Sequence, residues 1–281
     1  MVILTAIAEM LAASRAARYA GRNLGLVPTM GALHEGHLSL VRAAKSRCQA
    51  VAVSIFVNPT QFGPNEDLAK YPRTFERDCD LLKKEGADFV FAPTAEEMYP
   101  AGAVTWVTVE GMSEKLCGRS RPGHFRGVTT VVAKLFHVCE PDVAFFGQKD
   151  AAQHAIIRRM VRDLNFAVEI VVCPIVREAS GLAMSSRNAY LTPEQKQQAL
   201  VLSRSLQQIE LRFRAGERGA SRLIAAGKEI IAAEPAAKLD YLEIVDPDSL
   251  EPVESIDRPV LVAVAALVGT TRLIDNVVLN P

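Results

Sequence analysis

The stretch Leu24-Gly25-Leu26-Val27-Pro28-Thr29-Met30-Gly31-Ala32-Leu33-His34-Glu35-Gly36-His37 sets the reading of the fold. Its first residues, 24–28, form the short apolar run of a strand buried on both faces, and from His37 the spacing turns helical to about position 47. A strand that turns directly into a helix is the first half of a βαβ unit. Further outward, apolar runs at 50–57, 88–92, 142–146 and 167–172 read as buried strands, with helix-like segments at 73–85, 125–138 and 150–163 between them. Strands alternating with helical crossovers give an α/β fold, a parallel sheet that binds ligands beyond the carboxyl ends of its strands.

The pattern changes near residue 175. Thr192 supplies an N-cap, Pro193 a first-turn proline and Gln195 a capping-box partner for a helix running to about residue 213. A second helix over 217–233 is followed by strand-like runs at 238–246, 260–268 and 271–279. Helices first and strands later indicate a small α+β unit, so two domains are expected, residues 1–176 and 177–281. The apolar run Val260–Val268 is about half of the roughly 18 residues needed to span a bilayer, and it reads as a buried strand.

Thirty-two Lys plus Arg balance thirty-two Asp plus Glu. Zero net charge removes the bulk field that draws proteins onto nucleic acid or anionic membranes, so neither partner is expected and any polyanion needs a local basic site. With 49% apolar and 23% charged residues the composition is that of an ordinary globular chain. Cys48, Cys79, Cys117, Cys139 and Cys173 form no C-x-x-C pair and are expected as free thiols in a reducing cytosol, which makes the expected location cytoplasmic. Residues 1–20 lack the charged segment that precedes a secretory core, and they read as an amphipathic helix, with an organellar transit peptide as the alternative.

At a strand-to-helix turn, unpaired N–H groups carry partial positive charge, Gly31 and Gly36 allow close backbone approach, and the imidazoles of His34 and His37 add donors, which together suit a triphosphate. Three readings compete. A zincin helix needs His at i and i+4, whereas His34 and His37 are three apart; a P-loop needs Lys and Ser or Thr where His37 and Leu38 stand. The third is two surface histidines sharing a helix start. Gly147-Gln148-Lys149-Asp150, with Gln153 one turn on, follows another strand, and Lys149 there can reach a phosphate as a point charge. Met184-Ser185-Ser186-Arg187 lies in a polar loop at the domain boundary, where two hydroxyls and a guanidinium can close over a polyphosphate and stabilise a leaving pyrophosphate.

HEGH and MSSR together resemble the HIGH and KMSKS signatures of the nucleotidyltransferase superfamily. PTMGALHEGHLSLV, FVNPTQFGPNEDLAKYPRT, RPGHFRGVTTVV, FFGQKDAAQ and MSSRNAYL, in this order, narrow the resemblance to the pantoate-beta-alanine ligase (pantothenate synthetase) family from about residue 20 to 280. The resemblance implies a Rossmann-like doubly wound parallel sheet, a smaller C-terminal α+β lid domain and usually a homodimer. It implies an ATP-dependent ligase that condenses (R)-pantoate with beta-alanine through a pantoyl adenylate, releasing diphosphate and AMP, with Mg2+ accompanying ATP. By the same resemblance Met30, Gly31, Ala32, Leu33, His34, Glu35, Gly36 and His37 contact ATP, as do Gly147, Gln148, Lys149, Asp150, Val176, Met184, Ser185, Ser186 and Arg187. The catalytic set is His37, as proton donor, with His34, Lys149 and Arg187. Gln61 matches the glutamine that contacts both pantoate and beta-alanine, and Gln153 the second pantoate-binding glutamine. Gln148 departs from the family's common Glu, which puts the role of that position in doubt.

Two features stay open. Arg119, Arg121, His124 and Arg126 either bind substrate anions, Arg121 foremost, or form a solvated loop; Asp78 either helps hold magnesium through water or is a helix-surface carboxylate. The metal ligands are unknown from the sequence. A related adenylyltransferase with a different acceptor would keep HEGH and MSSR but has no use for the Gln61 and Gln153 pair, and a non-catalytic nucleotide-binding homologue would bind ATP without making product.

Overall fold

The computed structural model describes residues 1–64 and 66–281. Strands β1 (Val2–Leu4), β2 (Leu24–Thr29), β3 (Ala50–Ile55), β4 (Phe89–Phe91), β5 (Val143–Gly147) and β6 (Glu169–Cys173) lie parallel in the order β1-β4-β3-β2-β5-β6. Helices α1 (Ile7–Tyr19), α2 (Glu35–Arg47), α3 (Phe75–Lys84), α4 (Ala95–Met98), α5 (Cys117–Ser120), α6 (His124–Cys139) and α7 (Ala151–Asp163) connect them. β2 and β3 are buried along almost their whole length because helices cover both faces of the sheet, which is why they read as unbroken apolar runs. The chain leaves β2 through α2 toward β3 on one side and leaves β5 through α7 toward β6 on the other. The crevice beyond the carboxyl ends of β2 and β5 is therefore a topological switch point, the place where such sheets bind ligands.

The start of the chain corrects the reading of residues 1–20 as one helix. Val2, Ile3 and Leu4 pair with Phe89, Val90 and Phe91 as an edge strand, and α1 begins only at Ile7. Three residues are too few to show an alternation, and their strand state comes from a partner some 87 positions away (Val2 with Phe89).

The second part comprises α8 (Pro193–Arg214), α9 (Ala220–Ala232) and an antiparallel sheet of β7 (Ala237–Val245), β8 (Val260–Val268) and β9 (Thr271–Leu279), with β8 in the centre. The capping box of α8 forms as its residues dictate: Thr192 N–H donates to Gln195 Oε1 at 3.0 Å and Gln195 N–H to Thr192 Oγ1 at 3.2 Å. β8 alternates between two cores. Leu261, Ala263 and Ala265 pack in the cluster that contains α6 and α7, whereas Val260, Val262, Val264, Ala266 and Val268 pack with α8 and α9. A strand apolar on both faces is thereby explained: each fully buried valine contributes about 1.5–3 kcal/mol to the core of the second part, while Leu261, Ala263 and Ala265 join that part to the parallel sheet. The five cysteines are buried free thiols. Among the described residues no helix is long and apolar enough to cross a membrane.

Candidate active site

A cleft opens at the switch point. Met30, His34, Gly36 and His37 line it from the turn after β2, Gly147, Lys149, Asp150 and Gln153 from the turn after β5 and the start of α7, and Val176, Met184, Ser185, Ser186 and Arg187 from the loop that follows β6. Gln61 closes the wall near Met30. A second chamber, bounded by Arg121, His124, Tyr241 and Arg272, joins it at Lys149, Asp150, Gln153, Ser185 and Arg187, which line both. Segments from three separated parts of the chain thus share one cavity. Ser186 Oγ donates to Ala32 O at 3.2 Å, tying the serine loop to the histidine loop.

His34 and His37 form an imidazole version of a capping box. His34 is the N-cap of α2, and its Nδ1 accepts from Gly36 N–H at 3.1 Å; His37 Nδ1 lies 3.4 Å from His34 N–H. With both Nδ1 atoms facing backbone donors, the ring proton of each neutral imidazole sits on Nε2, available to a ligand. Burial, reinforced by nearby Lys149, holds His34 at a pKa of about 4. Burial, then His34 and Lys149, holds His37 at about 3. At pH 7 both rings are hydrogen-bond donors without charge.

Gln61 is oriented by Asn58, a residue whose function the sequence reading missed. Asn58 Nδ2 donates to Gln61 Oε1 and to Gly127 O, each at 3.1 Å, and its Oδ1 accepts from Tyr99 O–H at 2.9 Å. The Gln61 amide is thereby turned so that Nε2 faces Met30 Sδ, at 3.1 Å, on the cleft wall. A signal for Asn58 exists: Asn-Pro-Thr is an Asx-turn pattern, and Asn58 Oδ1 accepts from Thr60 N–H at 3.3 Å. Gly127 is required because α6 presses against this turn; a Cβ there would lie 2.4 Å from Thr60 O.

The cationic residues are mostly engaged. Arg187 makes a bidentate pair with Asp67, both bonds at 2.9 Å, and Arg121 makes one with Glu66 at 2.7 and 2.6 Å. Burial alone would raise the Asp67 carboxyl, but Arg187 more than offsets it and holds it below the usual carboxylate range. The two acids, adjacent in the loop after Gln61, were not foreseen. The basic cluster disperses: Arg119 pairs with Glu243, Arg126 stacks on Trp106 with 4.8 Å to the ring centre, and only Arg121 and His124 reach the second chamber. His124 Nδ1 lies 2.9 Å from Gln61 O. Lys149 Nζ lies 3.4 Å from Asp150 Oδ2.

Gly31, Ala32, Leu33, Glu35 and Gln148 do not line the cavity. Leu33 is core, and Glu35 pairs with Arg42 on the surface. Both readings of Asp78 are corrected, since the residue is fully buried and its oxygens accept from Ala32 N–H at 2.8 Å, Leu33 N–H at 2.9 Å and Thr74 Oγ1 at 3.0 Å. It braces the loop from behind and is neither a surface carboxylate nor open to a hydrated ion.

The profile of the family described as pantoate-beta-alanine ligase matches residues 2–278. The pantothenate synthetase of Acidobacterium capsulatum is 64% identical over 285 residues, covering 98% of this chain and 95% of that protein, and that of Koribacter versatilis is 63% identical over 280 residues, covering 100% and 96%. A crystal structure of pantothenate synthetase from Thermus thermophilus superposes with a TM-score of 0.95 at 45% identity, covering all of both chains. A pantoate-beta-alanine ligase from Francisella tularensis, solved with a beta-gamma ATP compound and beta-alanine, gives 0.76 at 33%, covering 99% of this chain and 97% of that one. A full-length profile match, relatives above 60% identity and a superposable fold lead to one conclusion: the chain belongs to the pantoate-beta-alanine ligase family.

Proposed function

We propose that this ligase joins (R)-pantoate to beta-alanine in the cleft between β2 and β5, in two steps. In the first, the pantoate carboxylate attacks the α-phosphorus of ATP, the bond to the β-phosphate breaks, and pantoyl adenylate and diphosphate form. In the second, the amine of beta-alanine attacks the acyl carbon, AMP leaves, and the amide forms with loss of a proton from nitrogen. A carboxylic acid with a pKa near 4 is already ionised at pH 7, so the first step needs positioning and charge neutralisation and no base. The single observation that carries this reading is the convergence of His34, His37, Lys149 and Arg187 with Gln61 and Gln153 on one cavity.

Gln61, turned by Asn58, offers Nε2–H to the pantoate oxygens, and Gln153 lines the same cleft. The Nε2–H groups of His34 and His37 and the ammonium of Lys149 meet the triphosphate. Arrival of that charge raises both imidazole pKa values, because a nearby anion favours the imidazolium, so His37 gains a transferable proton only when ATP is in place. Among the described residues Asp150 is the one carboxylate lining this cleft, and it suits Mg2+, which takes one or two carboxylates alongside substrate phosphates. The ion neutralises phosphate charge when bound. Ser185, Ser186 and Arg187 cover the adenylate, which water would otherwise hydrolyse.

The same reading takes residues 177–281 as the lid domain, two copies of the chain as the working unit and the cytoplasm as its location. Val104 and Trp106, exposed by 82% and 42%, support a partner surface for a second copy. The test is diphosphate release from ATP and pantoate without beta-alanine. His37→Ala is expected to lower that rate by about 10² to 10⁴, the usual range for a positioned donor. An unchanged rate would remove His37 from the first step.

A further inference from the structure

The turn that carries Lys149 is held from the far end of the chain. Asn276, in β9, is 3% exposed, and its Nδ2 donates to the backbone carbonyls of Gln148 at 3.0 Å and Lys149 at 2.9 Å, while its Oδ1 accepts from Gln148 Nε2 at 2.9 Å. This wiring admits one orientation. A carbonyl oxygen only accepts, so the Asn276 nitrogen must face the two carbonyls; its oxygen then faces residue 148, whose side chain must donate. Gln148 can donate and an ionised glutamate cannot. The Asn276 amide is fully used within the clamp, so it is not free to bind substrate.

The β9 ladder explains why Asn276 lies there. It pairs in register with Ala263, and together with Ile274 it faces the core of the parallel-sheet part, while Leu273 and Val277 face α8 and α9. The neighbouring Asp275, 4% exposed, holds Arg177 by two bonds of 2.7 and 2.9 Å. One strand therefore grips the Lys149 turn and, through its next residue, the segment that leads from β6 to Met184–Arg187. The placement of the antiparallel sheet and the placement of Lys149 are mechanically the same variable.

We infer that Asn276 is a positioning residue for Lys149, fixing the carbonyls of residues 148 and 149 so that the turn presents the ammonium to the polyphosphate. The inference rests on Lys149 acting in adenylate formation. Asn276→Asp keeps the shape but sets an acceptor oxygen, in place of Nδ2, against both carbonyls, and Asn276→Ala removes the clamp altogether. Each is expected to lower kcat for diphosphate release by about tenfold to a hundredfold, with KM for pantoate changed less than about twofold, as the loss of one or two net hydrogen bonds behind a catalytic group dictates. The deciding measurement is a double-mutant cycle with Lys149→Met. Once the ammonium is gone its placement no longer matters, so Asn276→Asp or Asn276→Ala should cost nothing further in that background. Additive losses would overturn the positioning role alone, and an unchanged rate in Lys149→Met would overturn the role of Lys149 and the inference with it. Should Asn276→Asp fail to fold, Asn276→Ala carries the same cycle; a full rate in Asn276→Ala would refute the clamp.

Discussion

Replacing Asp78 with alanine should release the nucleotide loop without touching the cleft. The carboxylate lies in the first turn of α3, fully buried, and accepts from the N–H groups of Ala32 and Leu33. Those bonds fall where the backbone is left-handed, with Gly31 at φ +79 and Ala32 at φ +50. Glycine adopts that region freely, whereas alanine there costs about 1–2 kcal/mol, so the bend persists only while something holds it. Each buried N–H left without a partner costs about 1–3 kcal/mol. Two of them give about 2–6 kcal/mol, and release of the carboxylate's own desolvation cost brings the expectation toward the lower half, about 2–4 kcal/mol. Urea unfolding of the wild type and Asp78→Ala measures this, and calorimetric titration with ATP measures the loop separately, where weakening by about ten- to a hundredfold is expected as Met30–His37 loses its fixed shape. Asp78→Asn retains one acceptor and turns an amide N–H toward the other backbone donor, so it should move both readouts the same way by less. An Asp78→Ala protein with the urea midpoint and ATP affinity of the wild type would show that the carboxylate does not brace the turn.

Two further outcomes follow from the packing and the buried imidazoles. Gly127→Ala would place a Cβ 2.4 Å from Thr60 O, backbone against backbone, so α6 must move off the turn that carries Gln61. A several-fold rise in the dissociation constant for pantoate is expected with ATP binding nearly intact, and equal weakening of both would reject the assignment of Gln61 to the acid. His154 is buried with neither ring nitrogen partnered among the described residues, and burial, aided by Arg158, lowers its pKa from 6.5 to about 4. Because the unfolded chain takes up the proton first, the stability tied to its neutral form is complete above pH 6.5 and drains away as pH falls toward 4. His154→Leu should therefore raise Tm at pH 7 by removing an unsatisfied polar group, and raise it more at pH 5; an equal or smaller gain at pH 5 would mean that this histidine does not titrate on unfolding.

What could be read from the sequence was short-ranged. The apolar runs of β2 to β6, the Thr192–Gln195 capping box and the two-sided run of β8 are each decided by residues within a few positions of one another, and the structure places them as expected. The histidine, lysine and serine segments were legible because each sits at a strand end or loop whose local chemistry already marks it. What escaped depends on distant partners. Val2–Leu4 is a strand only because β4 pairs with it, Asp78 is a brace only because Ala32 and Leu33 fold over it, and Asn276 gains meaning from two carbonyls 128 and 127 positions away.

The charges of Arg187 and Arg121 show the limit most sharply. The residue types suggest cations waiting for anions, yet the protein itself supplies the anions, Asp67 and Glu66, in the same two-pronged geometry that a phosphate or a substrate carboxylate would use. Binding at these arginines is therefore an exchange of one anion for another. The large desolvation cost of a lone buried cation is absent before the ligand arrives, and the net gain on exchange is only the difference between two similar ion pairs. On the proposed function, affinity for ATP and pantoate is therefore expected chiefly from donors with no charged internal partner: the Nε2–H groups of His34 and His37, and the Nε2–H of Gln61, which faces only the weak acceptor Met30 Sδ. Loss of those donors should cost more binding than loss of either guanidinium.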